Sequence, residues 1–128
     1  MFLKYNWFAF VWALIILAGH AVPGNELPQP HWYLFEFDKL VHTVLFAVWA
    51  FSMGNGFNKQ TKYYLLKRRY IGVIVIVSLM YSLSLETLQY AIFVDRAFQV
   101  EDLVADLLGT VMGLLFLNVL YGRLLKLT

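Results

Sequence analysis

Residues Ser84 to Gly113 read SLETLQYAIFVDRAFQVEDLVADLLGTVMG, the end of one apolar run joined to the start of another through a short charged turn. The stretch places Glu86, Gln89, Arg96, Asp102 and Asp106 where a hydrophobic chain least tolerates them. An acidic side chain at the centre of a membrane helix costs roughly 2.5–3.5 kcal/mol on insertion scales, so several on one hairpin require either mutual pairing or a function.

The surrounding composition is that of a membrane protein. Of 128 residues, 61% are hydrophobic and 14% charged, against about 25% charged in soluble domains. Residues 1–128 therefore read as a single small transmembrane domain with no separate soluble core. The absence of cysteine removes thiol chemistry, disulfides and thiolate metal sites. A net charge of +2 gives no basis for a nucleic-acid partner. The distribution of charge says more than its sum. All eight acids fall in the connection from Gly24 to Asp38 or in the second hairpin, whereas Lys4, Lys59, Lys62, Lys67, Arg68, Arg69, Arg123 and Lys126 fall elsewhere. By the positive-inside rule the N-terminus, the Asn58 to Arg69 loop and the C-terminus are cytoplasmic, and both acidic connections face outward. The expected architecture is all-α: an antiparallel bundle of four transmembrane helices, at about 7–21, 39–54, 70–93 and 101–121, with both termini inside.

The first run, about Trp7 to Ala21, carries Trp7, Phe8 and Trp12 near its cytoplasmic end as an interfacial belt would. A cleaved signal peptide is the competing reading, and Ala18-Gly19-His20 is a poor cleavage site for one. Pro23, Gly24, Pro28 and Pro30 then break any helix, which makes AVPGNELPQPHWYLFEF a loop on the outer membrane surface, with His20 and His31 as interfacial polar residues. The second run starts at Asp38-Lys39 and ends in the breaker series Gly54-Asn55-Gly56. Asp38 and His42 are four residues apart and so share one helical face. Asp38 is either a helix N-cap or an acid that orients a base. The basic loop 58–69 is an orientation signal and a contact for anionic headgroups.

In the third run Ser78, Ser82, Glu86, Gln89 and Tyr90 recur at intervals close to a helical repeat and form a polar stripe, which must face other helices or a wet cavity. In the fourth, Asp102, Asp106, Gly109 and Gly113 share one face, and Ala105, Gly109 and Gly113 make a small-residue ridge for close helix approach. Folding the hairpin about residue 97 brings Glu86 and Asp106 to similar depth, where two carboxylates ask for a cation, a metal or a proton between them.

These residues, taken together, resemble the pattern of the VanZ-like family of small bacterial membrane proteins. That pattern is an acidic-Lys pair followed by His, then Glu-x-x-Gln, then Arg-x-Phe, then Asp-x-x-x-Asn-x-x-Gly-x-x-x-Gly. Here it is met by Asp38-Lys39 with His42, Glu86 with Gln89, Arg96 with Phe98, and Asp102 with Gly109 and Gly113. The resemblance spans about residues 7–121. Asp106 departs from it, standing where the family usually carries Asn. The resemblance implies a multi-pass protein of the bacterial plasma membrane associated with tolerance of the glycopeptide teicoplanin, a phenotype more than a mechanism.

Two functions of different kinds remain open at this level. In the first, the protein acts on a lipid-linked or phosphate-bearing substrate at the outer leaflet. Glu86, His42 and Asp38 are then the candidate acid/base groups, with Arg96, Gln89, Asp102, Asp106 and Lys39 as substrate-binding residues and Arg96 clamping an anionic headgroup. No nucleophile motif, P-loop or HExxH is present, so the nucleophile would be water or a substrate hydroxyl. In the second, the same residues only recognise a headgroup or partner, or form a buried network that fixes the hairpin. No metal ligand set and no cofactor is assigned from the sequence, although a metal-assisted version would gather Asp38, His42, Glu86, Asp102 and Asp106 around a hard cation. The bilayer is the one assured partner, and nothing in the sequence sets the oligomeric state.

Overall fold

The computed structural model describes residues 2–21, 34–59, 63–92 and 97–121. It consists there of four helices, α1 (Phe2–His20), α2 (Leu34–Lys59), α3 (Tyr64–Ile92) and α4 (Val100–Leu120). Each contains a stretch long and apolar enough to cross a bilayer. Lipid offers backbone groups no hydrogen-bond partners, so a chain this apolar satisfies its own backbone as helices. Large apolar side chains such as Leu14, Val44, Ile76, Met80, Leu108 and Phe116 point outward on all four helices. An exposed apolar surface of that kind is what lipid tails cover.

Two expectations about helix ends are corrected. Gly54, Asn55 and Gly56 do not break α2, which runs on through them to Lys59. Both glycines are packing sites: a Cβ at Gly54 would fall on Leu117, and one at Gly56 on the side chain of Asn6 and the carbonyl of Tyr5. Asp38 is not an N-cap, because α2 already begins at Leu34 and Asp38 lies more than a turn inside it. The proline-rich connection at 22–33, with His31, which the sequence leads one to expect on the outer surface, lies outside the described residues, as do Arg96 and the basic residues Lys62, Arg123 and Lys126. α3 loses helical geometry at Arg69 (φ −113°, ψ 20°), which sets its first turns apart from the span that follows.

The most extensive packing joins α2 to α4. Gly109 and Gly113 lie against the backbone carbonyls of Thr43 and Ala47, so close that any added Cβ would strike the carbonyl oxygen. Since 43 pairs with 109 and 47 with 113, the two helices run parallel, with their first turns side by side. Thr43 reinforces the contact by donating from Oγ1 to the carbonyl of Ala105 at 3.3 Å. α1 is tied on by indole and phenol donors. Trp12 Nε1 reaches the carbonyl of Leu45 at 2.9 Å, Trp49 Nε1 that of Ala9 at 3.1 Å, and Tyr81 Oη that of Ala13 at 2.5 Å. Between these ties, Ala9, Ile16, Phe46, Trp49 and Leu85 form one apolar cluster. Ala50, Phe57, Tyr70, Ile74, Leu114 and Leu117 form a second toward the other end, where Tyr70 donates to Asn118.

The glycine contacts give a test. Gly113→Val drives a branched side chain into the Ala47 backbone and is expected to lower stability in detergent by about 1–3 kcal/mol or more. Gly72→Ala, where an added Cβ meets nothing within 4 Å, leaves stability unchanged or slightly raised. Thermal unfolding of the two purified variants beside the parent checks both.

Candidate functional site

The parallel packing of α2 and α4 sets two pairs of polar residues face to face. Asp38 and His42 are one turn apart on α2, and Asp102 and Asp106 are one turn apart on α4. His42 Nδ1 lies 2.9 Å from Asp106 Oδ1, and both residues are buried. A carboxylate accepts, so the ring donates from Nδ1. The other nitrogen, Nε2, then faces Asp38 Oδ1 and Asp102 Oδ2, each 4.0 Å away.

α3 completes the cluster. Ser82 Oγ donates to Asp106 Oδ2 at 2.5 Å. Glu86, one turn on, occupies the same face of α3 and lies within coulombic reach of His42, Asp102 and Asp106. Its Oε2 accepts from the backbone N–H of Gln99 at 3.3 Å, which fastens the end of α3 to the start of α4. Two buried oxygens, Glu86 Oε1 and Asp102 Oδ1, have no hydrogen-bond partner among the described residues. Burying such groups unpaired is costly, and native networks rarely leave them so.

Of the residues singled out in the sequence, Asp38, His42, Glu86, Asp102 and Asp106 are brought together, and Lys39 is half-buried beside them on α2. Gln89 is buried, but its Nε2 donates to the backbone carbonyl of His20 at 3.1 Å, a tie between α3 and α1. Tyr90 leaves the polar stripe, since it lies on the exposed side of α3. Arg96 is among the residues not described. Two members of the site were not picked out beforehand as site residues. His20 is buried with its ring edge-on to that of His42, centroids 4.8 Å apart, and Ser82 is a direct partner of Asp106. Ser82 was legible only as part of the stripe. His20 could have been found by depth alone, since it ends α1 as His42 begins the span of α2.

The cluster is deep but not sealed. The Asp38 side chain retains 47% of its exposure, against 5% for that of Asp102. The exposed edge of the cluster, at Asp38, therefore lies at the end of the bundle where α2 and α4 start. A surface groove lined by Lys4, Trp7, Phe51, Ser52, Asn55 and Lys59 lies toward the other end and includes none of these residues.

A family model described as VanZ/LLP1 matches residues 2–121, nearly the whole chain. No curated protein and no solved structure matches it.

The contacts of Asp106 say which change it tolerates. In Asp106→Asn the amide oxygen still accepts from His42 and the amide nitrogen donates to Ser82 Oγ, so near-native abundance in the membrane is expected. Asp106→Leu strips both donors of their acceptor, at roughly 1–3 kcal/mol for each polar group left buried and unpaired. Quantifying the two variants in membranes and by thermal unfolding separates these outcomes.

Proposed function

The chain belongs to the VanZ/LLP1 family, and we propose that its polar centre takes up the headgroup of a lipid or lipid-linked envelope molecule and acts on it by proton transfer. The observation that carries this reading is His42 held by Asp106 with its second nitrogen facing two further carboxylates, at a depth a headgroup can reach past Asp38. Intramembrane ionisable groups mark functional sites by default.

On this reading His42 is the general base or acid. Asp106 fixes its tautomer and ring orientation, as the orienting acid does wherever imidazole works as a base. Glu86 supplies a second proton-carrying group on the opposite helix. The attacking group is water or a substrate hydroxyl, since no side-chain nucleophile adjoins His42 in the manner of a serine or cysteine hydrolase. Lys39, with Arg96 of the α3–α4 turn, offsets the negative charge and holds an anionic headgroup. The positive-inside distribution turns this end of the bundle toward the outer leaflet of the plasma membrane. Altered exposure of wall precursors there accounts for teicoplanin tolerance.

The rival reading makes the cluster a structural clasp. Among the described residues the oxygens Glu86 Oε1 and Asp102 Oδ1 have no partner, which favours a ligand-taking site, because a network kept only to hold helices gains from satisfying its buried members.

The test compares envelope lipids and wall precursors by mass spectrometry in cells with the native chain and with Glu86→Gln at matched membrane abundance. A reproducible difference in one lipid or precursor class is expected, together with raised teicoplanin susceptibility in the variant. Identical envelopes with altered susceptibility would move the function to binding alone. Unchanged envelopes and susceptibility would leave only the clasp.

A further inference from the structure

We infer that Asp38, His42 and Asp102 form a binding site for one divalent first-row metal ion, such as zinc or manganese. The inference rests on the geometry of these three residues; with an ion bound, His42 Nε2 is a ligand, and the proton-transfer role given to it above passes to Glu86.

The argument begins at His42 Nε2. With the ring proton on Nδ1 and directed at Asp106, Nε2 carries a lone pair, and that lone pair faces Asp38 Oδ1 and Asp102 Oδ2. Separations of 4.0 Å are too long for hydrogen bonds. Three potential ligand atoms therefore surround one point, which positive charge stabilises, either as a cation held among them or as a second proton on the ring. One ligand atom from each residue lies within 4.8 Å of the other two. A point equidistant from atoms spaced 4.0, 4.0 and at most 4.8 Å apart lies at most about 2.5 Å from each, a few tenths of an ångström beyond zinc–nitrogen and zinc–oxygen bonds of about 2.0–2.2 Å. A small inward movement of the half-exposed Asp38 closes that difference.

A second observation, independent of the spacing, points the same way. Asp102 is 4% exposed, and its Oδ1 has no hydrogen-bond partner among the described residues. Such a carboxylate is paired with a cation, or is protonated, wherever it is stable. A third lies behind the histidine. Metal-bound imidazoles almost always donate their other N–H to a carboxylate or carbonyl, which fixes the tautomer and raises ligand basicity. Asp106 occupies that position and is itself held by Ser82.

One imidazole and two carboxylates suit divalent first-row ions. Three protein ligands leave coordination positions open, the arrangement of catalytic rather than structural sites. They open toward the side from which Asp38 is reached.

The test is metal uptake by the full chain purified in detergent, stripped with a chelator and dialysed against micromolar zinc or manganese. Metal per chain is measured by inductively coupled plasma mass spectrometry after desalting, and affinity by competition with a chelating dye. The expected result is one ion per chain, falling below a tenth of that in Asp102→Asn and His42→Gln at the same free metal. Asp106→Asn should keep the fold and the Nδ1 hydrogen bond and weaken affinity only modestly, whereas Asp106→Leu, which removes that outer partner, should weaken it by about 10–100-fold. Glu101→Gln, an exposed neighbour, should change nothing. If a buried variant aggregates on size exclusion, Asp38→Asn serves in its place. A native-eluting parent that takes up neither ion overturns the inference, leaving His42 as an imidazolium among carboxylates. Equal uptake by parent, Asp38→Asn and Asp102→Asn overturns it too, since the metal would then lie elsewhere. Neither result touches the envelope comparison with Glu86→Gln, so the two readings fail separately.

Discussion

A carboxylate removed from water has to find donors, and Asp106 finds them on two helices other than its own. His42 reaches it from α2 and Ser82 from α3, so one side chain links three of the four spans. In a bilayer the apolar surfaces of helices are as well solvated by lipid as by one another, and association depends on close packing and on polar links of this kind. Individually such links are modest, averaging about 0.6 kcal/mol in measured cases. Asp106 makes two from one residue, and the arrangement depends on α4 lying almost against the α2 backbone. Gly109 and Gly113 permit that approach, because no side chain stands between them and the carbonyls of Thr43 and Ala47.

The same contact generates the site. Two helices that run parallel with their first turns in register carry i, i+4 pairs of matching height on their facing sides opposite one another. Asp38 and His42 thereby meet Asp102 and Asp106, although 64 residues separate His42 from Asp106. Glu86 enters from α3 and closes the cluster from the third side, braced by the backbone of Gln99. Positioning by rigid spans suits chemistry, because the groups that would handle protons or a cation are held by packing rather than by loops. The opening is confined to one end, where a half-exposed Asp38 borders an otherwise buried cluster.

Family membership and geometry contribute different things. The VanZ/LLP1 match covers residues 2–121 and establishes kinship. The arrangement of His42 among carboxylates bears on what the chain does, because function resides in sites rather than in folds. Asp106 accepts from both His42 and Ser82, and so fixes the ring that faces the other carboxylates.

Much of the architecture was decided by sequence alone. Four apolar segments of spanning length, in a chain with so few charges, have no stable alternative to transmembrane helices, since unpaired backbone is prohibitive in lipid. The polar faces were equally legible, because helical periodicity puts Asp38 with His42, Asp102 with Asp106, and Ser82 with Glu86. Periodicity acts within a helix, and it says nothing about which helix lies opposite. Only the tertiary structure decided that α4 pairs most closely with α2, that Gln89 binds the carbonyl of His20 instead of joining the cluster, and that His20 lies edge-on to His42. It also overrode the local reading of Gly54 and Gly56, whose missing side chains make room for neighbouring helices rather than ending their own. The reason is common to all of these: a residue's propensity and spacing are properties of its own segment, whereas its partner is set by the surfaces that neighbouring spans present.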